Sequence, residues 1–107
     1  MAVRLDKPWR GCEAIDRLPG HMGVFELADQ TGAVLYVGYA GGRSRFGLRS
    51  EIADALGRFP DAALVRYEVT TAYLTRWQEL LMAHRADRGA LPPGNADVSG
   101  LGRLSPG

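Results

Sequence analysis

The chemistry most legible in this chain is that of phosphate. Lys7 is the only lysine among 13 lysine and arginine residues, so arginine carries almost all of the positive charge. A guanidinium is a planar fork of donors that can meet two phosphate oxygens at once, which a lysine ammonium does not do. Arg43, Arg45 and Arg49 fall within or just beyond the run Ala40-Gly41-Gly42-Arg43-Ser44-Arg45. The same residues could form a solvated patch, and an arginine bias also suits a GC-rich genome. Cys12 is the only cysteine, so neither an internal disulfide nor a cysteine zinc cluster can form. That fits a reducing compartment. His84 follows Glu79 by five residues, which does not put two ligands on one helix face, and it is read as structural.

The remaining composition narrows the class. A length of 107 residues suits one domain, and 46% apolar residues is an ordinary globular level. The net charge of +1 creates no whole-molecule field to draw in nucleic acid, so attraction must be local. The first residues contain no apolar run, and no stretch reaches the roughly 20 apolar residues of a membrane span. The chain is read as soluble and cytoplasmic, with no membrane partner.

These residues need elements to hold them. Val24-Phe25-Glu26-Leu27-Ala28 and Ala33-Val34-Leu35-Tyr36-Val37-Gly38 read as strands, and Asp29-Gln30-Thr31-Gly32 between them is turn chemistry, so the pair reads as a hairpin. With a four-residue loop, Ala28 opposes Ala33 and Phe25 opposes Tyr36, which makes the two aromatics neighbours on one face. Leu48, Ile52, Ala55, Leu56 and Phe59 form one helical stripe, ended by Pro60. From Leu64 to Thr70, Val65, Tyr67 and Val69 alternate with Arg66 and Glu68, a half-buried third strand. Thr75-Arg76-Trp77-Gln78 fits a capping box that opens a helix reaching about Arg88, with Gly89 as its stop and Trp77, Leu80 and Leu81 in the core. The expected fold is α/β of the α+β kind, in the order β-β-α-β-α: a small, mostly antiparallel, three-stranded sheet whose apolar face is covered by helices. Residues 1–22 read as a polar lead-in, 23–95 as the domain and 96–107 as a Pro/Gly-rich tail.

Gly23-Val24-Phe25 and Tyr36-Val37-Gly38 stand on the first two strands with ten residues between them. With the Leu18-Pro19 lead-in and the run Tyr36-Val37-Gly38-Tyr39-Ala40, this order resembles the GIY-YIG endonuclease domain, in particular the N-terminal domain of the bacterial excision-repair nuclease. The resemblance covers about residues 18–95. It implies metal-dependent hydrolysis of DNA phosphodiester bonds, with Mg²⁺ or Mn²⁺ as cofactor. It assigns Tyr36 to positioning water or phosphate, Arg49 to charge stabilisation, Glu79 to the metal and Asn95 to a phosphate oxygen. Such an assignment is chemically coherent: one carboxylate can hold a Mg²⁺ that keeps most of its waters, and that ion can polarise the phosphate. An arginine in the first turn of a helix, beside free backbone N–H groups, would stabilise the developing charge.

Two departures from the family pattern bear on activity. Phe25 stands where the family has a tyrosine, and it lacks the hydroxyl assigned to proton transfer or water positioning. His21 and Tyr39 are the nearby groups that could substitute as base. The interval from Tyr36 to Arg49 is also longer than usual, as is that from Glu79 to Asn95. Arg45 is therefore a second candidate for the family arginine, with Arg43 beside it on the phosphate. The alternative reading is a weakened or inactive module that kept the fold and binds nucleic acid or a protein partner, with a homodimer also open. An unrelated α/β interaction domain is a third reading.

Overall fold

In the computed structural model, which describes residues 4–98, the elements run β1 (Arg10–Gly11), a 3-10 helix (Cys12–Arg17), β2 (Gly23–Ala28), β3 (Val34–Ala40), α1 (Gly47–Arg58), β4 (Leu64–Val69), α2 (Tyr73–Arg88) and a 3-10 turn (Pro93–Asn95). The fold is α+β. Its sheet has four strands in the order β1-β4-β2-β3, and every pairing is antiparallel. The expected three strands are present as β2, β3 and β4. The fourth, β1, is two residues paired to Val65 and Leu64, too short to leave a periodic signal in the sequence. The stretch before β2 is also less polar in its role than in its composition, since Leu5 and Leu18 are both buried. Residues 99–107 of the tail lie outside the described residues.

The hairpin register differs from the sequence expectation by two residues. Leu27 opposes Tyr36 and Phe25 opposes Gly38, while Ala28 opposes Val34 rather than Ala33. One residue of the shift comes from a longer loop, in which Gly32 takes φ +88° and Asp29 bonds across to Ala33. The other comes from an irregularity between Leu27 and Ala28. Because side chains alternate with a period of two, the two-residue shift beyond the irregularity keeps Phe25 and Leu27 on the same face as Tyr36 and Gly38. Phe25 and Tyr36 therefore still meet, diagonally, with ring centroids 5.9 Å apart.

The two helices cover opposite faces of the sheet. Leu48, Ile52 and Ala55 of α1 pack with Phe25, Leu27 and Val65. Leu80 and Leu81 of α2 pack with Val24, Val37 and Leu5. Neighbouring strand residues point to opposite faces, so the alternation Val24/Phe25 and Tyr36/Val37 sorts the two cores. The expectation of one covered face is thus corrected, and the polar side of β4 is not a solvent face. Arg66 pairs with buried Glu26 at 2.7 Å, and Glu68 pairs with Arg76 of α2 at 2.9 Å. The expected capping box also does not operate. α2 begins at Tyr73, before Thr75, and its first turn carries no side-chain cap. Tyr73 belongs to the α2 core with Trp77, so tertiary packing sets the start of the helix in place of local capping. Among the described residues no helix is long and apolar enough to cross a membrane.

Candidate functional site

The tyrosine of the second tripeptide sits in an aromatic cluster on the α1 face. Tyr36 is half-buried, stacked on Phe59 at 4.9 Å and tilted against Phe25. Arg58, at the end of α1, lies over its ring at 5.0 Å and donates to its hydroxyl from Nη2 at 3.3 Å. Gly38 is the floor of this cluster. A methyl group there would overlap the Phe25 ring and lie 2.8 Å from Tyr36 Cε2. Gly23, in the first tripeptide, faces a different obstacle, because a methyl there would overlap the carbonyl oxygen of Glu68 on β4. Both motif glycines therefore have a packing reason: one admits two aromatic rings, the other admits a neighbouring strand.

Glu79 lies across the sheet from Tyr36. It stands on α2 beside Arg76, with an N···O separation of 3.5 Å, and is part of a chain Glu68–Arg76–Glu79. Burial disfavours the charge on Arg76, but hydrogen bonding and charge from Glu68, and then Glu79, outweigh it and hold the guanidinium above its ordinary value. A Mg²⁺ or Mn²⁺ ion here would rest on Glu79 alone. The one candidate carboxylate already faces a cation, and among the described residues no group of three or more His, Cys, Asp or Glu side chains could hold a metal.

Asn95 has a role that the sequence did not suggest. Its side chain is buried beside β3, the edge strand, and both ends of its amide are occupied by one residue. Oδ1 accepts from Val37 N–H at 2.8 Å, and Nδ2 donates to Val37 C=O at 3.0 Å. Trp77 Nε1 donates to the same carbonyl at 2.9 Å. Asn95 thus substitutes for a missing neighbouring strand at the edge of the sheet, where the sequence reading had placed it on a phosphate. His84, read as structural, has Nδ1 2.9 Å from the carbonyl oxygen of Ala90.

The arginines gather at the opposite end of α1 from Tyr36. Arg49 and Arg58 are separated by about 13 Å along the helix axis, so Arg49 and Tyr36 do not meet. The free N–H groups expected at the start of α1 are already taken. Leu48 N–H donates to His21 C=O at 2.9 Å and Arg49 N–H to Pro19 C=O at 3.2 Å, while Arg49 Nε donates to Leu18 C=O at 3.1 Å. His21 thus serves as a backbone cap for the helix. Arg45 is in a turn before α1, not on it, with its guanidinium 5.5 Å from the Phe46 ring centre. Arg43 and Arg45 are both exposed. Tyr39 cannot stand in for the missing hydroxyl of Phe25, because it projects from the α2 face. There it stacks on Tyr73 at 5.8 Å and meets Trp77 edge-on at 5.2 Å.

The sequence-derived residues are therefore dispersed, with Tyr36 on one face, Glu79 on the other, Asn95 at the edge strand β3, and the arginines on the loop between β3 and α1 and in the first turn of α1. Sequence reasoning missed Tyr73 as a partner of Tyr39. A signal for it existed, since Tyr73 and Trp77 are four residues apart on a helix and Tyr39 shares strand parity with Val37. The ion pair of Glu26 with Arg66 was also missed, because a charged alternation looks the same whether it faces water or an internal partner.

No curated protein matches the chain. A family described as a domain of unknown function, DUF7508, matches residues 3–87. That span is most of the chain, which accordingly belongs to the DUF7508 family.

Proposed function

We propose that the chain is a GIY-YIG-like module that binds nucleic acid and does not cut it. The order of elements and the two tripeptides on adjacent strands support the likeness. The distribution of arginines carries the binding reading. Arg4, Arg66 and Arg76 are tied into ion pairs with Asp87, Glu26 and Glu68, whereas among the described residues Arg43 and Arg45, like Arg10, Arg17, Arg49 and Arg58, are in no ion pair, and Arg43 and Arg45 stand exposed on the same loop. Two exposed guanidinium groups on one ordered loop suit a phosphate backbone. Against cleavage stand the missing hydroxyl at Phe25, the separation of Tyr36 from Glu79 by the sheet, and the commitment of Asn95 to Val37.

The test combines binding with cleavage. Fluorescence anisotropy with labelled DNA should show affinity falling about 10- to 40-fold between about 50 and 200 mM salt, as about two to three phosphate contacts require. Arg43→Gln should reduce the salt slope by about one contact. Supercoiled plasmid should show no chelator-sensitive nicking. Nicking by the wild type that Glu79→Ala abolishes would restore the hydrolytic reading. Absence of salt-dependent binding would leave a protein partner as the better one.

A further inference from the structure

Exposed aromatic and aliphatic side chains concentrate around the same loop. Of the four large hydrophobic residues with the highest exposure among those described, Tyr39 (38%), Phe46 (54%) and Leu74 (48%) belong to the loop or its border, and only Val69 is elsewhere. A soluble domain rarely leaves such residues together without a use. Tyr39 and Leu74 border an open groove of about 520 Å³ between the loop and the start of α2, lined by Tyr39, Tyr73, Leu74, Arg43, Ser44 and Glu51, among others.

The groove has a rigid frame. Ser44 N–H donates to Gly41 C=O at 3.1 Å, and Ser44 Oγ donates to Glu51 of α1 at 2.8 Å, which fixes the loop to the helix. Gly41 lies directly against Tyr73, since a methyl group at Gly41 would be 2.8 Å from that ring. Tyr39 and Tyr73 are nearly parallel, at 22°, and Trp77 closes edge-on behind Tyr39. The result is a braced aromatic shelf with Arg43 at its rim and Arg45 two residues further along the same loop. Glu51 is the one acid in the lining, and the Ser44 bond already occupies one of its oxygens.

We infer that this groove takes a single-stranded segment of nucleic acid, with a base on the Tyr39 shelf and its phosphate on Arg43. The inference rests on the nucleic-acid reading above and narrows it. An aromatic face can stack only on a base that has left its own stack, so a duplex presents the rim arginine with phosphates but offers the shelf nothing. The groove therefore discriminates by strandedness, and it tolerates sequence because every base has a face.

The experiment measures anisotropy with a labelled single strand of about 15 nucleotides and with the duplex of the same sequence, at low salt. Tyr39→Ala should weaken single-strand binding about 5- to 150-fold and leave duplex binding unchanged. Tyr39→Phe, which keeps the ring, should restore the wild-type value, and a circular dichroism melt of each variant separates lost binding from lost folding. If Tyr39→Ala melts early, Leu74→Ser and Gly42→Asp, both at exposed positions of the groove, provide the second reading, and each should weaken the single strand more than the duplex. Equal affinity for both forms, untouched by these substitutions, would overturn the strandedness inference and leave the binding function standing. Binding of neither form would overturn both.

Discussion

Truncating Asn95 to alanine tests whether this residue holds the sheet or a ligand. Val37 is fully buried, and its N–H has Asn95 Oδ1 as its acceptor at 2.8 Å. Removing the amide strands that donor, at about 1–3 kcal/mol for an unsatisfied buried group. The Val37 carbonyl loses Nδ2 but keeps Trp77 Nε1, so its loss is that of one ordinary bond, about 0.5–1.5 kcal/mol. The sum is on the order of 2–4 kcal/mol, a large fraction of the roughly 5–15 kcal/mol that a domain of this size has. Urea unfolding followed by tryptophan fluorescence should show a lower midpoint with an unchanged slope. Trp77 sits on the same carbonyl and reports the event directly. Asn95→Asp sharpens the test. It keeps the acceptor for the Val37 N–H but aims a second oxygen at the Val37 carbonyl. The ionised form is disfavoured in the fold, so the folded pKa of the new carboxyl rises above its unfolded value. Its protonated form regains a donor. The variant should therefore recover stability as pH falls through that raised folded value toward the unfolded one, and lose it again as pH rises. An Asn95→Ala midpoint equal to wild type, with weakened nucleic-acid binding, would refute the reasoning and return Asn95 to the ligand.

Gly38→Ala should cost about 1–3 kcal/mol by crowding Phe25 and Tyr36, measured as a fall in melting temperature, and Gly23→Ala should cost more because its obstacle is the backbone of β4. Arg66→Ala leaves Glu26 buried without its cation and should cost about 3–5 kcal/mol, whereas replacing both residues with apolar ones should recover much of that in a denaturation series. The carboxylate of Asp29 accepts from the Thr31 hydroxyl at 2.6 Å and from two backbone N–H groups, which hold it below the usual carboxylate range. Its contribution to the hairpin is therefore present above the ordinary carboxylate pKa and is lost as pH falls through the depressed folded value. Asp29→Ala should lower stability at neutral pH, and its deficit should vanish in acid.

How much was legible in the sequence depends on the range over which each signal acts. The strands around Phe25 and Tyr36 and the helix carrying Leu48 and Ile52 were readable because side-chain periodicity is local. The face shared by Phe25 and Tyr36 was readable too, since parity survives the extra residues of the loop and the strand irregularity even though the direct pairing does not. Which side each helix covers was not. Leu48 and Leu80 are equally apolar, and only the chain path assigns one to the Phe25 face and the other to the Val24 face. That ambiguity is why Tyr36, Arg49 and Glu79 looked like one site in order along the chain and are three places in space. Asn95 was opaque for a similar reason, because its partner Val37 is 58 residues away and offers only backbone atoms.

The exposed flank of β3 has a further consequence for how this domain can be divided. An edge strand with free backbone groups is a template on which another chain can lay a strand. At Val37 that position is occupied by Asn95, so the segment after α2 acts as an edge guard. The stretch matched to the family ends at residue 87, before the guard. A fragment cut there would keep α1, all four strands and all but the last residue of α2, yet expose Val37 to strand addition. It should self-associate in light scattering under conditions where the 107-residue chain stays dispersed.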